Sequence, residues 1–156
     1  ATWPEALARA LPGAARVTYV QGPFASPAVM PDDARFQRIE SPASMAPLLA
    51  RADYALTVYG VSLFECLAAG VATVFIAPDR AENDAELACL AATGAAIRAR
   101  DGEAAVTVLA VLMTEPDRAA ALAERARGLI DGRGPSRLAQ HILDTASELA
   151  PKGARG

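Results

Sequence analysis

The fold is decided by residues 52–78, which read ADYALTVYGVSLFECLAAGVATVFIAP. Two nearly continuous apolar runs, Tyr54–Val58 and Thr73–Ile76, are typical of parallel strands that are covered on both faces. Between them the apolar residues switch to a helical period, and Gly70 ends this helix. The segment therefore predicts a strand, a helix and a second, parallel strand.

The same alternation of strands and helices continues on both sides of this segment. Further strands are predicted at Arg16–Gln21, Arg35–Ile39 and Ala96–Arg98, and a loop or broken helix at Phe24–Ala34. Helices are predicted at Trp3–Leu11, from Ser41 or Ser44 to Ala52, from Asn83 or Asp84 to Gly94, and at Gly102–Met113, Asp117–Ile130 and Pro135–Leu149.

Repeated strand–helix units predict an α/β fold, namely a doubly wound, Rossmann-like parallel sheet. The helical C-terminal run is expected to pack on the sheet or to fold back over it. We expect one domain over residues 1–150 and a frayed tail at residues 151–156.

Composition narrows the function classes. A formal net charge of −3 argues against a nucleic-acid binder, which needs a surplus of cations. No apolar run approaches the roughly 20 residues of a membrane span, and no leader is recognisable, so a cytoplasmic protein without a transmembrane segment is expected. With His141 as the single histidine, neither a metal site nor a Ser-His-Asp triad is predicted. Cys66 and Cys89 are expected to be buried free thiols.

The turn after the strand Tyr54–Val58 is the strongest candidate for a binding site. Ligands of open parallel sheets bind beyond the carboxyl ends of the strands, and here a helix begins directly after Gly60. Its unpaired N–H groups favour a phosphate, and Ser62 can add a hydroxyl donor. Glu65 has two competing uses: a capping box with Ser62, or a carboxylate that accepts hydrogen bonds from ribose hydroxyls.

Two other strand ends are weaker candidates. Asn83 and Asp84 follow the strand Thr73–Ile76 and either cap a solvated helix or bind sugar hydroxyls. Gly22 follows the first strand and either serves turn geometry or lines the opposite wall of a cleft. The fingerprints of dinucleotide-binding domains, P-loop phosphotransferases and α/β-hydrolases do not occur in the chain.

Residues 52–78 resemble the C-terminal half of GT-B glycosyltransferases, most closely the MurG-type N-acetylglucosaminyl transferases and the related PseG-type UDP-sugar hydrolases. Their shared pattern is Ala-Asp, an apolar strand, a small-residue turn, a helix with Glu, Gly, and a second apolar strand. The segments 81–96 and 129–137 are also similar to family segments, so the likeness extends over about residues 16–149.

The resemblance implies a domain that holds the nucleotide half of a UDP-sugar donor, with UDP or the UDP-sugar as its ligand and no further cofactor. Carried over by position, the diphosphate would contact Gly22, Gly60, Val61 and Ser62. The ribose would contact Glu65, and the base would contact Ile39 and Glu40. The donor sugar would contact Asn83 and Asp84. It also implies a partner, the N-terminal domain with the acceptor site and the catalytic base, which this chain would lack. No catalytic residue is therefore assigned here.

The sequence departs from the family pattern at three positions. Tyr59 replaces a small residue of the turn, Ala72 replaces Pro, and Asp84 replaces Gln and adds negative charge. These departures indicate either a divergent donor or an alternative function, in which the chain is a non-catalytic α/β interaction module that has lost nucleotide binding. Formation of a homo-oligomer is left open by the sequence.

Overall fold

The computed structural model describes residues 2–77 and 84–149. Within these ranges strands and helices alternate, except that the second strand follows the first with no helix between them, and a run of three helices ends the series. The elements are α1 (Trp3–Ala10), β1 (Val17–Gln21), β2 (Phe36–Glu40), α2 (Ala46–Leu49), β3 (Tyr54–Val58), α3 (Val61–Ala68), β4 (Ala72–Ile76), α4 (Asp84–Ala92), β5 (Ile97–Ala99), α5 (Gly102–Leu112), α6 (Pro116–Leu129) and α7 (Gly134–Leu149).

All described strand pairs are parallel, which confirms the predicted α/β class. The hydrogen bonds divide the strands into two sheets, one of β1 and β2 and one of β3, β4 and β5 in that order. In the larger sheet Tyr54 is paired with Ala72, and Val58 with Ile76. The carboxyl ends of β3 and β4 therefore lie side by side.

Helices cover both faces of β4. Val74 points into one cluster of apolar side chains, formed largely with α1, α5 and α6, and is fully buried. Phe75 points to the other face, where it is fully buried among Leu63 and Leu67 of α3 and Leu87 of α4. This two-sided burial explains why the sequence of β4 is an unbroken apolar run.

The two sheets share the first of these clusters. Val17 of β1, Phe36 of β2 and Tyr54 of β3 all pack against this cluster. Hydrophobic burial therefore joins the N-terminal part of the chain to the three-stranded sheet.

Arg35 fastens α1 to the start of β2. Its guanidinium donates hydrogen bonds to the carbonyl oxygens of Ala8 (2.8 Å) and Pro12 (3.0 Å), at the end of α1 and just after it. It also forms an ion pair with Asp33 at 2.7 Å, and this hydrogen-bonded pair lowers the pKa of the Asp33 carboxyl. A cation is well placed at this helix end, where carbonyl groups lack partners within the helix.

The C-terminal helices differ in how they pack. Helix α6 contributes Leu122 to the first cluster and Ala126 to the second, as the predicted packing on the sheet requires. For α7 that prediction is wrong, because Leu138, Ile142 and Leu143 are 58–61% exposed. Residues 134–147 of this helix are all exposed, while other helices cover both faces of β4.

Candidate functional site

The turn between β3 and α3 lies at the carboxyl edge of the larger sheet. The Tyr59 N–H donates to the carbonyl oxygen of Ile76, the last residue of β4, at 2.7 Å. Gly60 follows, and α3 begins at Val61. The turn thus lies at the end of two neighbouring parallel strands, as predicted.

Gly60 has a backbone conformation that only glycine adopts readily. Its φ is 154° and its ψ is −166°, a region that costs other residues on the order of 1–3 kcal/mol. Within residues 2–77 and 84–149, no heavy atom of another part of the chain lies within 4 Å of a Cβ atom built on Gly60. The turn therefore requires glycine for its dihedral angles, and no described residue fills the space beside it.

Helix α3 begins without a side-chain cap. The Leu63 N–H donates to the Gly60 carbonyl oxygen at 3.0 Å, whereas the N–H groups of Val61 and Ser62 find no acceptor among the described residues. Both residues are exposed, Val61 to 77%. Two amides without an acceptor among the described residues and the positive end of the helix dipole thus lie next to Gly60, an arrangement that attracts an anion.

Glu65 lies one turn further along α3, on the same side as Ser62. Of its two predicted uses, the capping box does not form, because Gly60 and not Ser62 precedes the helix. The Glu65 side chain is half-buried and has no hydrogen bond or ion pair within residues 2–77 and 84–149. Its carboxylate is available to accept hydrogen bonds from a ligand.

Tyr59 packs inward and does not fill the space beside Gly60. Its ring contacts the cluster beneath α3 and α4 and meets Phe64 edge to face, with 6.2 Å between ring centroids. The carboxylate of Glu86 on α4 raises the pKa of the Tyr59 hydroxyl. The residue that departs from the family pattern therefore serves as a support beneath the turn.

Asp84, which was predicted to face the donor sugar, is the first residue of α4. Its side chain and all of Asn83 lie outside the described part of the chain. Because Glu86 interacts with Tyr59, the first turn of α4 lies close to the Gly60 turn.

The remaining predicted residues lie together at the end of the smaller sheet. Gln21 pairs with Glu40 in the last register position of β1 and β2, so Gly22 and Glu40 are neighbours, and Ile39 pairs with Val20. Glu40 forms an exposed ion pair with Arg38 at 2.9 Å. No hydrogen bond between described residues joins this group to the Gly60 turn.

One polar group at this second edge was not singled out from the sequence. The Gln21 side-chain oxygen is buried without a hydrogen-bond partner among the described atoms, while its amide nitrogen lies 3.5 Å from the carbonyl oxygen of Ala25. Buried acceptors are rarely left unpaired. The only sequence signal for it is a polar residue directly before Gly22-Pro23 at the end of a strand.

The two thiols differ in exposure. Cys66 is buried as predicted, and burial, assisted by the charge of Glu65, raises its pKa to about 11. Cys89 is exposed, so its predicted burial is wrong. On α4 the buried side is defined by Leu87 and Leu90, and Cys89 lies on the opposite side.

We therefore expect one fast and one slow thiol with a disulfide reagent at pH 8, because the attacking species is an accessible thiolate. Cys89→Ser should remove the fast phase, and the Cys66 thiol should react only after unfolding. The measurement is the absorbance of the released aromatic thiolate with time. Two fast phases, or a fast phase that survives in Cys89→Ser, would contradict the assignment.

Residues 2–77 and 84–149 contain no group of three His, Cys, Asp or Glu side chains that could hold a metal ion. None of the helices in these ranges combines the length and the apolar character that crossing a membrane demands. In the comparisons with known proteins, no family model and no curated protein matches the chain.

Proposed function

We propose that this chain is the nucleotide-sugar-binding domain of a GT-B-type enzyme, a glycosyltransferase or a UDP-sugar hydrolase. In this proposal the diphosphate of a UDP-sugar binds at the start of α3. The resemblance of residues 52–78 to the MurG-type and PseG-type families supports the choice of nucleotide. The amides beside Gly60 support the position of the diphosphate.

The observation that carries the proposal is the combination of Gly60 and the uncapped start of α3. The Val61 and Ser62 amides have no acceptor among the described residues, and no side chain of these residues lies within 4 Å of the Gly60 Cβ position. Backbone amides at a helix N-terminus are a recurrent way of binding phosphate groups. The Ser62 hydroxyl adds a further donor.

Glu65 is the proposed ribose ligand. A carboxylate is an acceptor for both ribose hydroxyls, and the half-buried side chain of Glu65 has no partner within the described residues. Its position one helical turn beyond Ser62 suits a pentose bound next to the diphosphate. Asn83 and Asp84 are the proposed contacts of the donor sugar.

Gly22, Ile39 and Glu40 would belong to the same site if the two sheets form one continuous sheet, with β1 beside β3. The common packing of Val17 and Tyr54 against one cluster supports this arrangement. The sheet would then be doubly wound with the order β2-β1-β3-β4-β5, and its topological switch point would lie between β1 and β3. Gly22 would approach the diphosphate, and Ile39 and Glu40 the base.

Catalysis is not assigned to this chain. The proposed enzyme supplies its acceptor site and catalytic base from an N-terminal domain, and its product is a cell-surface polysaccharide precursor. The role of the present domain is to hold the nucleotide as the leaving group or as the product of hydrolysis.

The test is a titration with UDP and with pyrophosphate, followed by calorimetry or by amide NMR shifts. We expect both ligands to shift the amides of Gly60, Val61 and Ser62. Glu65→Ala should weaken the binding of UDP about tenfold or more, since a hydrogen bond to a charged group is worth about 1.5–3 kcal/mol. Pyrophosphate should bind Glu65→Ala at least as well, because a nearby negative charge has been removed.

Glu124→Ala is the matched control, because Glu124 is exposed on α6 and carries the same charge. It should change neither affinity. Equal losses for UDP and pyrophosphate in Glu65→Ala would contradict the ribose contact. A folded protein that binds neither ligand at millimolar concentration would overturn the proposal.

The exposed apolar side chains of α7 favour a second candidate, a non-catalytic interaction module. Leu138, Ile142 and Leu143 form a surface that globular chains usually cover. This candidate predicts no effect of UDP on the melting temperature, together with self-association in sedimentation. A UDP-induced increase of several degrees would exclude it.

A further inference from the structure

The carboxyl edge of the smaller sheet carries a polar side chain whose hydrogen bonds are incomplete. Gln21 is the last residue of β1, and its side-chain oxygen is buried without a partner. Within residues 2–77 and 84–149, no other buried side-chain nitrogen or oxygen atom lacks a hydrogen bond. An unpaired acceptor costs stability, because the water that it loses on burial is not replaced. The Gln21 oxygen therefore requires a donor that the described residues do not supply.

The other end of the same amide is held weakly. The Gln21 side-chain nitrogen lies 3.5 Å from the carbonyl oxygen of Ala25, beyond the roughly 2.7–3.2 Å of ordinary N–H···O hydrogen bonds. The last torsion of a glutamine side chain turns over a broad range at little cost, and Gln21 as a whole is only partly buried. The amide can therefore turn toward a ligand at the edge of the sheet without breaking a strong hydrogen bond.

A second feature that costs stability lies beside Gln21. Ser41 follows β2 and has a φ of 43°, and no other non-glycine residue in the described part of the chain has a positive φ. Its N–H donates to the Gln21 carbonyl oxygen at 2.9 Å. Strained backbone of this kind is concentrated at binding and catalytic sites, where the surrounding structure holds it in place. An unpaired acceptor and a strained residue thus occur together at one strand edge.

The chemistry of a primary amide limits the ligand groups that Gln21 can bind. Its oxygen accepts and its nitrogen donates, so it pairs best with a group that has a donor and an acceptor side by side. A diphosphate ester offers acceptors only and would leave the Gln21 oxygen unpaired. Uracil has an N–H donor, at its atom N3, next to the carbonyl oxygen O4. This base edge matches both ends of the amide, and proteins commonly read unpaired bases on it.

We propose that the Gln21 amide recognises the base of the nucleotide, with hydrogen bonds to N3–H and O4 of uracil. This inference rests on the proposed function and on its arrangement of β1 beside β3. Gln21 pairs with Glu40 in the last register position of the smaller sheet, at the strand ends where the proposed site holds the base. Glu40 is exposed and forms an ion pair with Arg38, and its carboxylate has no donor for O4. Gln21 is therefore the better partner for uracil.

The test combines a change in the protein with a change in the ligand. Gln21→Met keeps the length of the side chain but removes both hydrogen-bonding groups, and N3-methyl-UDP lacks the N3–H donor. The wild type should bind UDP about tenfold more tightly than N3-methyl-UDP. Gln21→Met should bind UDP about tenfold more weakly than the wild type does. Its affinities for the two ligands, measured by calorimetry, should agree within about twofold.

Gln37→Met is the matched control, because Gln37 is exposed on β2 and undergoes the same chemical change. It should retain the wild-type preference for UDP over N3-methyl-UDP. Pyrophosphate should bind the wild type and Gln21→Met equally well, since it has no base. A preference for UDP that persists in Gln21→Met would overturn this inference alone. A folded wild type that binds neither UDP nor pyrophosphate would overturn the proposed function, and this inference with it.

A melting curve without ligand distinguishes base recognition from a structural role of Gln21. Gln21→Met removes an unpaired buried acceptor, so the melting temperature should rise by about 2–4 °C while the binding of UDP weakens. If Gln21→Met does not fold, Gln21→Leu takes its place in both measurements. A lower melting temperature together with an unchanged preference for UDP would identify Gln21 as a structural residue, and the proposal would be wrong.

Discussion

Replacement of Phe75 by alanine is expected to lower the free energy of unfolding by about 3–5 kcal/mol, the usual loss for a fully buried phenylalanine. Phe75 is completely buried on the central strand β4, among Leu63, Leu67 and Leu87. The substitution removes the ring from this cluster and leaves a cavity that helices on the same face cannot close. A chain of this size should lose about 2–4 °C in melting temperature per kcal/mol.

Urea unfolding followed by circular dichroism gives the free energy, and Phe24→Ala is the matched control. Phe24 is 100% exposed, so the same chemical change there should stay within about 0.5 kcal/mol. If Phe75→Ala does not fold, Phe75→Leu should still report the packing with a loss of about 1.5 kcal/mol or less. Similar losses at residues 24 and 75 would contradict the two-sided core around β4.

The same two-sided burial explains which parts of the fold the sequence predicts well. The predicted bounds of β3, Tyr54–Val58, agree with the structure, and β4 begins one residue earlier than predicted, at Ala72. A parallel strand that is covered on both faces has an unbroken apolar run, and few other structures share this pattern. Local sequence is sufficient there.

Local sequence is not sufficient where the bounds or the packing of a helix depend on contacts with other parts of the chain. A helix from Ser41 or Ser44 to Ala52 was predicted, but α2 comprises only Ala46–Leu49, with Pro47 in its first turn. Proline is tolerated at the start of a helix and prevents a preceding turn, so the helix cannot begin further upstream. Whether the apolar side chains of α7 are covered depends on another surface, and local sequence contains no information about that surface.

The candidate site divides in the same way. The strand–Gly60–helix unit is contiguous in the sequence, and its geometry follows from neighbouring residues. Gly22, Ile39 and Glu40 belong to a different sheet, and their distance from Gly60 depends on how two sets of strands meet. No spacing or periodicity specifies that contact, and so their place in the site is a proposal.

The second large effect is expected at Gly60. Gly60→Ala should lower the free energy of unfolding by about 1–3 kcal/mol, the range for a residue held in a conformation that only glycine adopts readily. No described residue lies within 4 Å of the new methyl group, so the loss comes from the backbone and not from a clash with these residues. Relaxation of the turn would move the Val61 and Ser62 amides, and pyrophosphate binding should weaken about tenfold.

Gly22→Ala is the matched control, because its Cβ position is equally open and its φ is not in the positive region. It should leave stability unchanged or raise it by about 0.4–1 kcal/mol through the unfolded state. A D-alanine at position 60, introduced by chemical ligation, is a sharper test. For a D-residue the angles of 154° and −166° are the mirror image of ordinary extended backbone, so D-alanine should restore both stability and binding. If the L- and D-alanine proteins were equally stable, the conformation of Gly60 would not be what positions the amides.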